Sequence, residues 1–130
     1  SRIIPETKND MSWKISDTGF LMTLSASVPN QIQASLQQKR LFNKNSAEVN
    51  WAIHPGGKQI VQGIQQLLNL TNMQVEHSYN VLGNYGNMSS ATIIFVLEQM
   101  LSQPKNNFDE IIACAFGPGL TLESMLLKYV

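Results

Sequence analysis

Two short stretches hold the side chains best suited to acid–base or electrostatic chemistry. In AIHPGG, residues 52–57, His54 closes an apolar run and is followed by Pro55, Gly56 and Gly57. Imidazole is the side chain whose ordinary pKa falls near neutrality, proline sets the chain direction, and paired glycines leave room for a ligand or a second backbone. In NYGNMSSA, residues 84–91, Asn87 follows Tyr85 and Gly86 and precedes the small residues Ser89, Ser90 and Ala91. A neutral amide donor beside the positive end of a helix is placed to stabilise an anion. Each stretch also has a plainer reading. His54 could bond a backbone carbonyl, and Asn87 could cap the next helix through its side-chain oxygen. The local residues leave both readings open.

Other reactive types carry less. Cys114 is the only cysteine, so no internal disulfide can form, and a cysteine-based zinc site has too few ligands. It sits inside IIACAF with no thiolate-stabilising neighbour, the setting of a small buried hydrophobe. His77 lies in a polar helical stretch and is expected in solvent. Glu123 follows GPGLTL with no evident acid partner and takes no catalytic role. No metal site is expected.

These residues need elements to position them. Gly19 to Val28 reads as a strand stopped by Pro29, and 30–42 as an amphipathic helix with Ile32, Leu36 and Leu41 on one face. NKNSAE reads as a loop. In VNWAI, Val49, Trp51 and Ile53 alternate with small or polar residues, which predicts a strand whose C-terminal end is His54. Strand C-terminal ends are where open α/β sheets place ligand-binding groups. Ile60, Val61, Ile64, Leu67 and Leu68 take helical spacing, and a further helix is expected from about Met73 to Val81. Met88 to Leu101 is apolar nearly all round, a helix buried on most sides. EIIACAF reads as a fully buried strand, and LESMLLKYV as a last strand. The order predicts an α/β layer architecture without internal repeats.

The chain has 130 residues, the size of one domain. Its formal net charge is zero and Lys39–Arg40 is the only adjacent basic pair, so no footprint for nucleic acid or an anionic membrane is present. Neither a secretory leader nor a membrane-length apolar run is evident, which makes the cytoplasm the expected location.

At WAIHPGGKQI, VLGNYGNMSSATIIFVLEQM and FGPGLTLESMLL the chain resembles the C-terminal part of the type III polyketide synthases, the chalcone and stilbene synthase family. Three motifs occur in the family's order, and the resemblance extends over 1–130, loosest at the opening residues. It implies a thiolase-like fold, in which two similar α/β halves form a five-layered α-β-α-β-α body with the active site between them. This chain would be the second half. The family's cysteine–histidine–asparagine set then maps onto His54 and Asn87, while the cysteine belongs to the absent first half and Cys114 does not match it.

The resemblance further implies decarboxylation of malonyl-CoA and condensation with a cysteine-bound acyl starter, His54 and Asn87 forming an oxyanion hole. His54 would also hold the cysteine as thiolate. Gly56 and Gly57 would admit the coenzyme A arm. Phe116, Gly117, Pro118 and Gly119 match the GFGPG loop that shapes the cavity, with Ala115 in place of the first glycine. Lys58 stands where plant members commonly carry proline. Substrates would be acyl-CoA and malonyl-CoA, with no resident cofactor, and partners the N-terminal half and a second copy in a homodimer. The chain alone should be inactive. The alternatives are a ketoacyl-carrier-protein synthase of the fatty acid type and a noncatalytic half-domain that binds coenzyme A or a partner.

Overall fold

The computed structural model describes residues 2–3, 11–17, 19–25, 27–28, 31–32, 44–103, 108–117 and 120–129. Its centre is a four-stranded sheet of β1 (Arg2–Ile3), β4 (Asn50–Ile53), β5 (Glu110–Gly117) and β6 (Thr121–Lys128), in the order β1-β6-β5-β4. β4 runs parallel to β5, with Ile53 opposite Cys114, and β6 returns antiparallel, with Gly117 opposite Thr121. β2 (Met11–Ser16) and β3 (Gly19–Leu24) form a separate antiparallel hairpin. Between β4 and β5 the described residues form three α-helices: α1 (Lys58–Leu68), α2 (Asn72–Tyr85) and α3 (Thr92–Leu101).

The sheet is covered on both faces, which is why its central strands read as near-continuous apolar runs. On one face Trp51, Ile53, Ile112, Cys114 and Phe116 pack with Ile60, Val61 and Ile64 of α1. On the other, Ala52, Ile111 and Ala113 pack with Val96 and Met100 of α3. All of β4 is buried, so the alternation seen in VNWAI separates two packed faces rather than a core face from a wet one.

Helix α2 seals the free edge of β4. Gln74 and Ser78, one turn apart, reach across it: Gln74 Nε2 donates to the Val49 and Ser46 carbonyls, both at 2.9 Å, and the Ile53 N–H donates to Ser78 Oγ at 3.1 Å. An unpaired strand edge buried without such partners would leave orphaned backbone groups. Gln74 also closes the capping box that starts α2, where Thr71 N–H donates to Gln74 Oε1 at 3.0 Å. Helix α1 ends at Asn69, which adopts the left-handed conformation (φ 51°) and donates back to the last turn.

Several expectations change. The predicted strand over Gly19–Val28 ends at Leu24, and belongs to the hairpin rather than the sheet. Val28 is helical, as are Gln31 and Ile32; the rest of the expected 30–42 helix lies outside the described residues. Helix α2 runs past the expected end at Val81, through Gly83 and Asn84 to Tyr85. NKNSAE contains a short 3-10 helix, Ser46–Glu48. His77 is 7 % exposed rather than solvated, because it shares the inward side of α2 with Gln74, Ser78 and Val81.

The largest departure is α3. Only Thr92, Val96 and Met100, at i, i+4 and i+8, are buried, whereas Ile94 is 64 %, Phe95 40 % and Leu101 58 % exposed. The apolar side away from the sheet has no cover within the described residues. Tyr85 lies beside it, its ring centroid 5.4 Å from that of Phe95. Among the described residues no helix is long and apolar enough to cross a membrane.

Candidate active site

The end of β4 places His54. The Ile53 N–H is taken by Ser78 on one side, and on the other the His54 N–H donates to the Cys114 carbonyl at 2.8 Å, continuing the parallel ladder one residue past the strand. The chain then turns, Gly56 N–H donating to the His54 carbonyl at 2.9 Å, and enters α1 at Gly57. The imidazole is partly buried, and its Nδ1 has no hydrogen-bond partner among the described residues, so nothing there sets its tautomer. Burial lowers its pKa below the ordinary 6.5 by disfavouring the charged ring. Within this domain burial therefore favours the neutral form of the His54 ring.

Asn87 arrives from the opposite side, on the turn between α2 and α3. Its Oδ1 accepts the Ser89 N–H at 2.9 Å, and its Nδ2 donates to the Gly56 carbonyl at 3.1 Å. A backbone donor faces one end of the amide and a backbone acceptor the other, so the orientation of the group is chemically determined. The plainer reading of Asn87 as a helix cap does not hold: the N-caps of the short 3-10 helix Ser89–Ala91 and of α3 are Met88 and Ala91, and the Asn87 oxygen instead closes a local turn with the Ser89 N–H. That turn commits the oxygen and leaves the amide nitrogen as the donor end. Its second N–H is not used by any partner among the described residues.

The two residues line one cavity of about 290 Å³, together with Gly56, Phe116 and Gly117. Asn87, Ser89 and Ser90 are exposed at its rim. The Asn87–Gly56 hydrogen bond joins the two loops directly, although they lie 31 residues apart in sequence. Gly56 is closely approached: a Cβ there would lie 3.2 Å from Ile60 Cδ1, the far end of that side chain, and in ordinary contact, 3.7 Å, with the His54 ring. A Cβ at Gly117 would meet Thr121 Oγ1 at 2.9 Å, so this glycine has an internal packing reason beyond shaping the cavity. Gly57 stands outside the lining, at the start of α1, with open space about its Cα and an extended φ of 179°. Pro118 and Gly119 lie outside the described residues.

Some of the lining was not legible as such. Met11 enters from the β2–β3 hairpin, and no local pattern announces it. Ser89, Ser90, Ile93 and Ala115 complete the wall. Of these, Ala115 was marked only as a departure from a motif and the serines only as small residues. Cys114 behaves as expected of a buried hydrophobe: it is enclosed between sheet and α1, and burial pushes its thiol pKa up to about 12. Among the described residues no group of three or more His, Cys, Asp or Glu is placed to hold a metal ion.

Comparison with known proteins agrees over the whole chain. The profile of the C-terminal domain of chalcone and stilbene synthases matches residues 1–130. Type III polyketide synthase A of Arabidopsis thaliana is 32 % identical over 98 % of this chain and 35 % of its own length. The crystal structure of a type III pentaketide synthase from Neurospora crassa superposes with a TM-score of 0.85 at 32 % identity, covering 98 % of this chain and 38 % of that one. Probable polyketide synthase 1 of Dictyostelium discoideum is 33 % identical over 100 % of this chain, which is 4 % of that protein. The chain thus spans little more than a third of the first two relatives. Those structural neighbours share the thiolase-like fold expected from the motifs.

Proposed function

Because this chain belongs to the chalcone and stilbene synthase family, as its C-terminal domain, we propose that it is the second half of a polyketide-forming acyltransferase. It supplies His54 and Asn87 to a cysteine carried by an N-terminal α/β half. The cysteine thiolate attacks an acyl-CoA starter, and coenzyme A leaves. Malonyl-CoA then loses carbon dioxide: the bond to the carboxylate breaks, and its electron pair passes into the thioester as an enolate. The enolate carbon attacks the acyl-cysteine carbonyl, the carbon–sulfur bond breaks, and the extended chain departs on coenzyme A. Both carbon steps put negative charge on a thioester oxygen, where preorganised donors act most strongly. The chemistry uses coenzyme A thioesters as substrates and calls for no resident cofactor.

The observation that carries this reading is the Asn87 amide, held donor end toward Gly56 at the cavity that His54 lines. An oxyanion hole needs a donor whose orientation is set before charge develops. His54 acts twice, as a second donor and as the partner of the cysteine thiolate, whose charge would raise the imidazole pKa against the lowering by burial. The uncovered apolar side of α3 supports docking of the N-terminal half there, since exposed patches of that kind usually mark an interaction surface. Lacking the nucleophile, the domain alone is inactive. In the cell it works in the cytoplasm as part of a homodimer.

The test uses the complete enzyme, this domain with its N-terminal half. Asn87→Ala is expected to lower malonyl-CoA decarboxylation by roughly a hundredfold or more while sparing acylation of the cysteine. His54→Ala is expected to impair both. If Asn87→Ala raised the apparent pKa of the cysteine as much as His54→Ala did, this division of labour would be wrong. Turnover of malonyl-carrier protein in preference to malonyl-CoA would instead identify a fatty acid type synthase.

A further inference from the structure

We propose that Thr92 is a positioning residue for Asn87, an inference that rests on the oxyanion role assigned to Asn87 above. Thr92 is the first residue of α3 and is fully buried. Its hydroxyl oxygen accepts the Met88 N–H at 2.8 Å, and its proton goes to the Ser89 carbonyl at 2.8 Å. One side chain thereby fastens both residues that follow Asn87. The same oxygen lies 3.4 Å from Asn87 Oδ1, the weaker of its two possible acceptors.

The clamp matters because of what Ser89 does. Ser89 has φ 60°, in the left-handed region that side chains other than glycine seldom adopt. In that conformation its N–H donates to Asn87 Oδ1 at 2.9 Å, the contact that commits the oxygen and leaves Nδ2 to donate to Gly56. The Thr92 hydroxyl grips the Ser89 carbonyl, on the other side of that strained residue. A continuous set of hydrogen bonds therefore runs from the buried start of α3, through Ser89, to the exposed amide. Asn87 and Ser89 are both exposed, so water competes for every partner of the turn except Thr92. Among the described residues the hydroxyl bonds neither the sheet nor another residue of α3. Its partners both belong to the turn that presents Asn87.

The deciding experiment is steady-state malonyl-CoA decarboxylation by the complete enzyme, with Thr92→Val removing the hydroxyl at nearly constant shape and Thr92→Ser retaining it. Thr92→Val is expected to lower kcat roughly tenfold or more with little change in KM, as misplacement of a transition-state donor does. The pH profile of cysteine alkylation should stay as in the parent, and Thr92→Ser should restore most of kcat. A parental kcat in Thr92→Val overturns the proposal, as does a loss that serine does not restore or one shared equally with cysteine acylation. If Thr92→Val does not accumulate as folded protein, Thr92→Ala serves as the second hydroxyl deletion and is read by the same criteria. Asn87→Ala run alongside separates the two levels. If it leaves decarboxylation intact, the role of Asn87 fails and this inference with it. If it abolishes decarboxylation while Thr92→Val does not, only the inference fails.

Discussion

The strand end that carries His54 is held through its own backbone: its N–H joins the Cys114 carbonyl in the sheet ladder, and the preceding N–H donates to the hydroxyl of buried Ser78 of α2. The turn that carries Asn87 is held by side chains, its own amide and the Thr92 hydroxyl, at an exposed rim around a left-handed Ser89. Removing the imidazole leaves the first support untouched. Removing the amide also takes away the hydrogen bond to Gly56 and the acceptor of the Ser89 N–H, so the turn loses its support along with its chemistry. His54→Ala is therefore the cleaner deletion, and part of the loss in Asn87→Ala will be loss of position.

Gly56 is the point where the two supports meet, and substituting it is the strongest way to break the contrast. Gly56→Ala sets a methyl 3.2 Å from Ile60 Cδ1 and 3.7 Å from the His54 ring, on the residue whose carbonyl receives Asn87. We expect roughly a tenfold or greater loss of decarboxylation, with cysteine acylation reduced as well, because both loops move. An effect confined to one step, measured by carbon dioxide release against starter loading, would show the supports to be independent.

The charge of His54 sharpens the comparison on one side. Burial alone lowers its pKa, and a neighbouring thiolate should raise it. In the complete enzyme the imidazole pKa, followed by NMR, should be higher with the cysteine present than with it replaced by alanine. No difference would remove the ion pair from the proposal.

His77 offers a milder perturbation of the His54 side. It is buried next to Ser78, with its Nδ1 unpartnered among the described residues, and burial lowers its pKa despite Glu76, whose Oε1 is 3.7 Å from Nε2. A base with a depressed folded pKa binds more protons when unfolded, so stability is full above about pH 6.5 and declines as pH falls toward the folded value. His54 adds to the same window. His77→Gln should flatten part of the decline in denaturant midpoint between neutral pH and pH 5, whereas an unchanged slope would place the titration elsewhere.

The smallest effect is expected at Gly57, where nothing among the described residues demands a glycine. Gly57→Ala should leave folding unchanged. If the coenzyme A arm passes here, KM for malonyl-CoA should rise a few-fold with kcat preserved; an unchanged KM would leave this glycine without a role in binding.

Periodicity and motif spacing were enough to locate β4, α1, β5, β6 and the end of β4 as the place for His54, because buried strands and amphipathic helices print their burial on the residue pattern. α2 was underread for a physical reason. Its inward residues Gln74, His77 and Ser78 include the pair that hydrogen-bonds a strand edge, so a packed face looks polar in sequence. α3 was overread for the opposite reason: in sequence an apolar surface open to solvent looks the same as one buried within the chain, and among the described residues nothing covers Ile94, Phe95 and Leu101.

By itself the sequence determined the layer class and the family and singled out His54 and Asn87 as the residues to propose for the site, since those readings depend on residue types and their order along the chain. Only the tertiary structure decided that β2 and β3 stand apart from the main sheet, that Met11 reaches the cavity, and that His77 is enclosed. It also decided which end of the Asn87 amide is the donor, because that follows from a carbonyl 31 residues away and from the buried Thr92 hydroxyl that supports the turn. Hydrogen-bond direction is set by which groups meet in space, and a linear pattern of residues does not record those meetings.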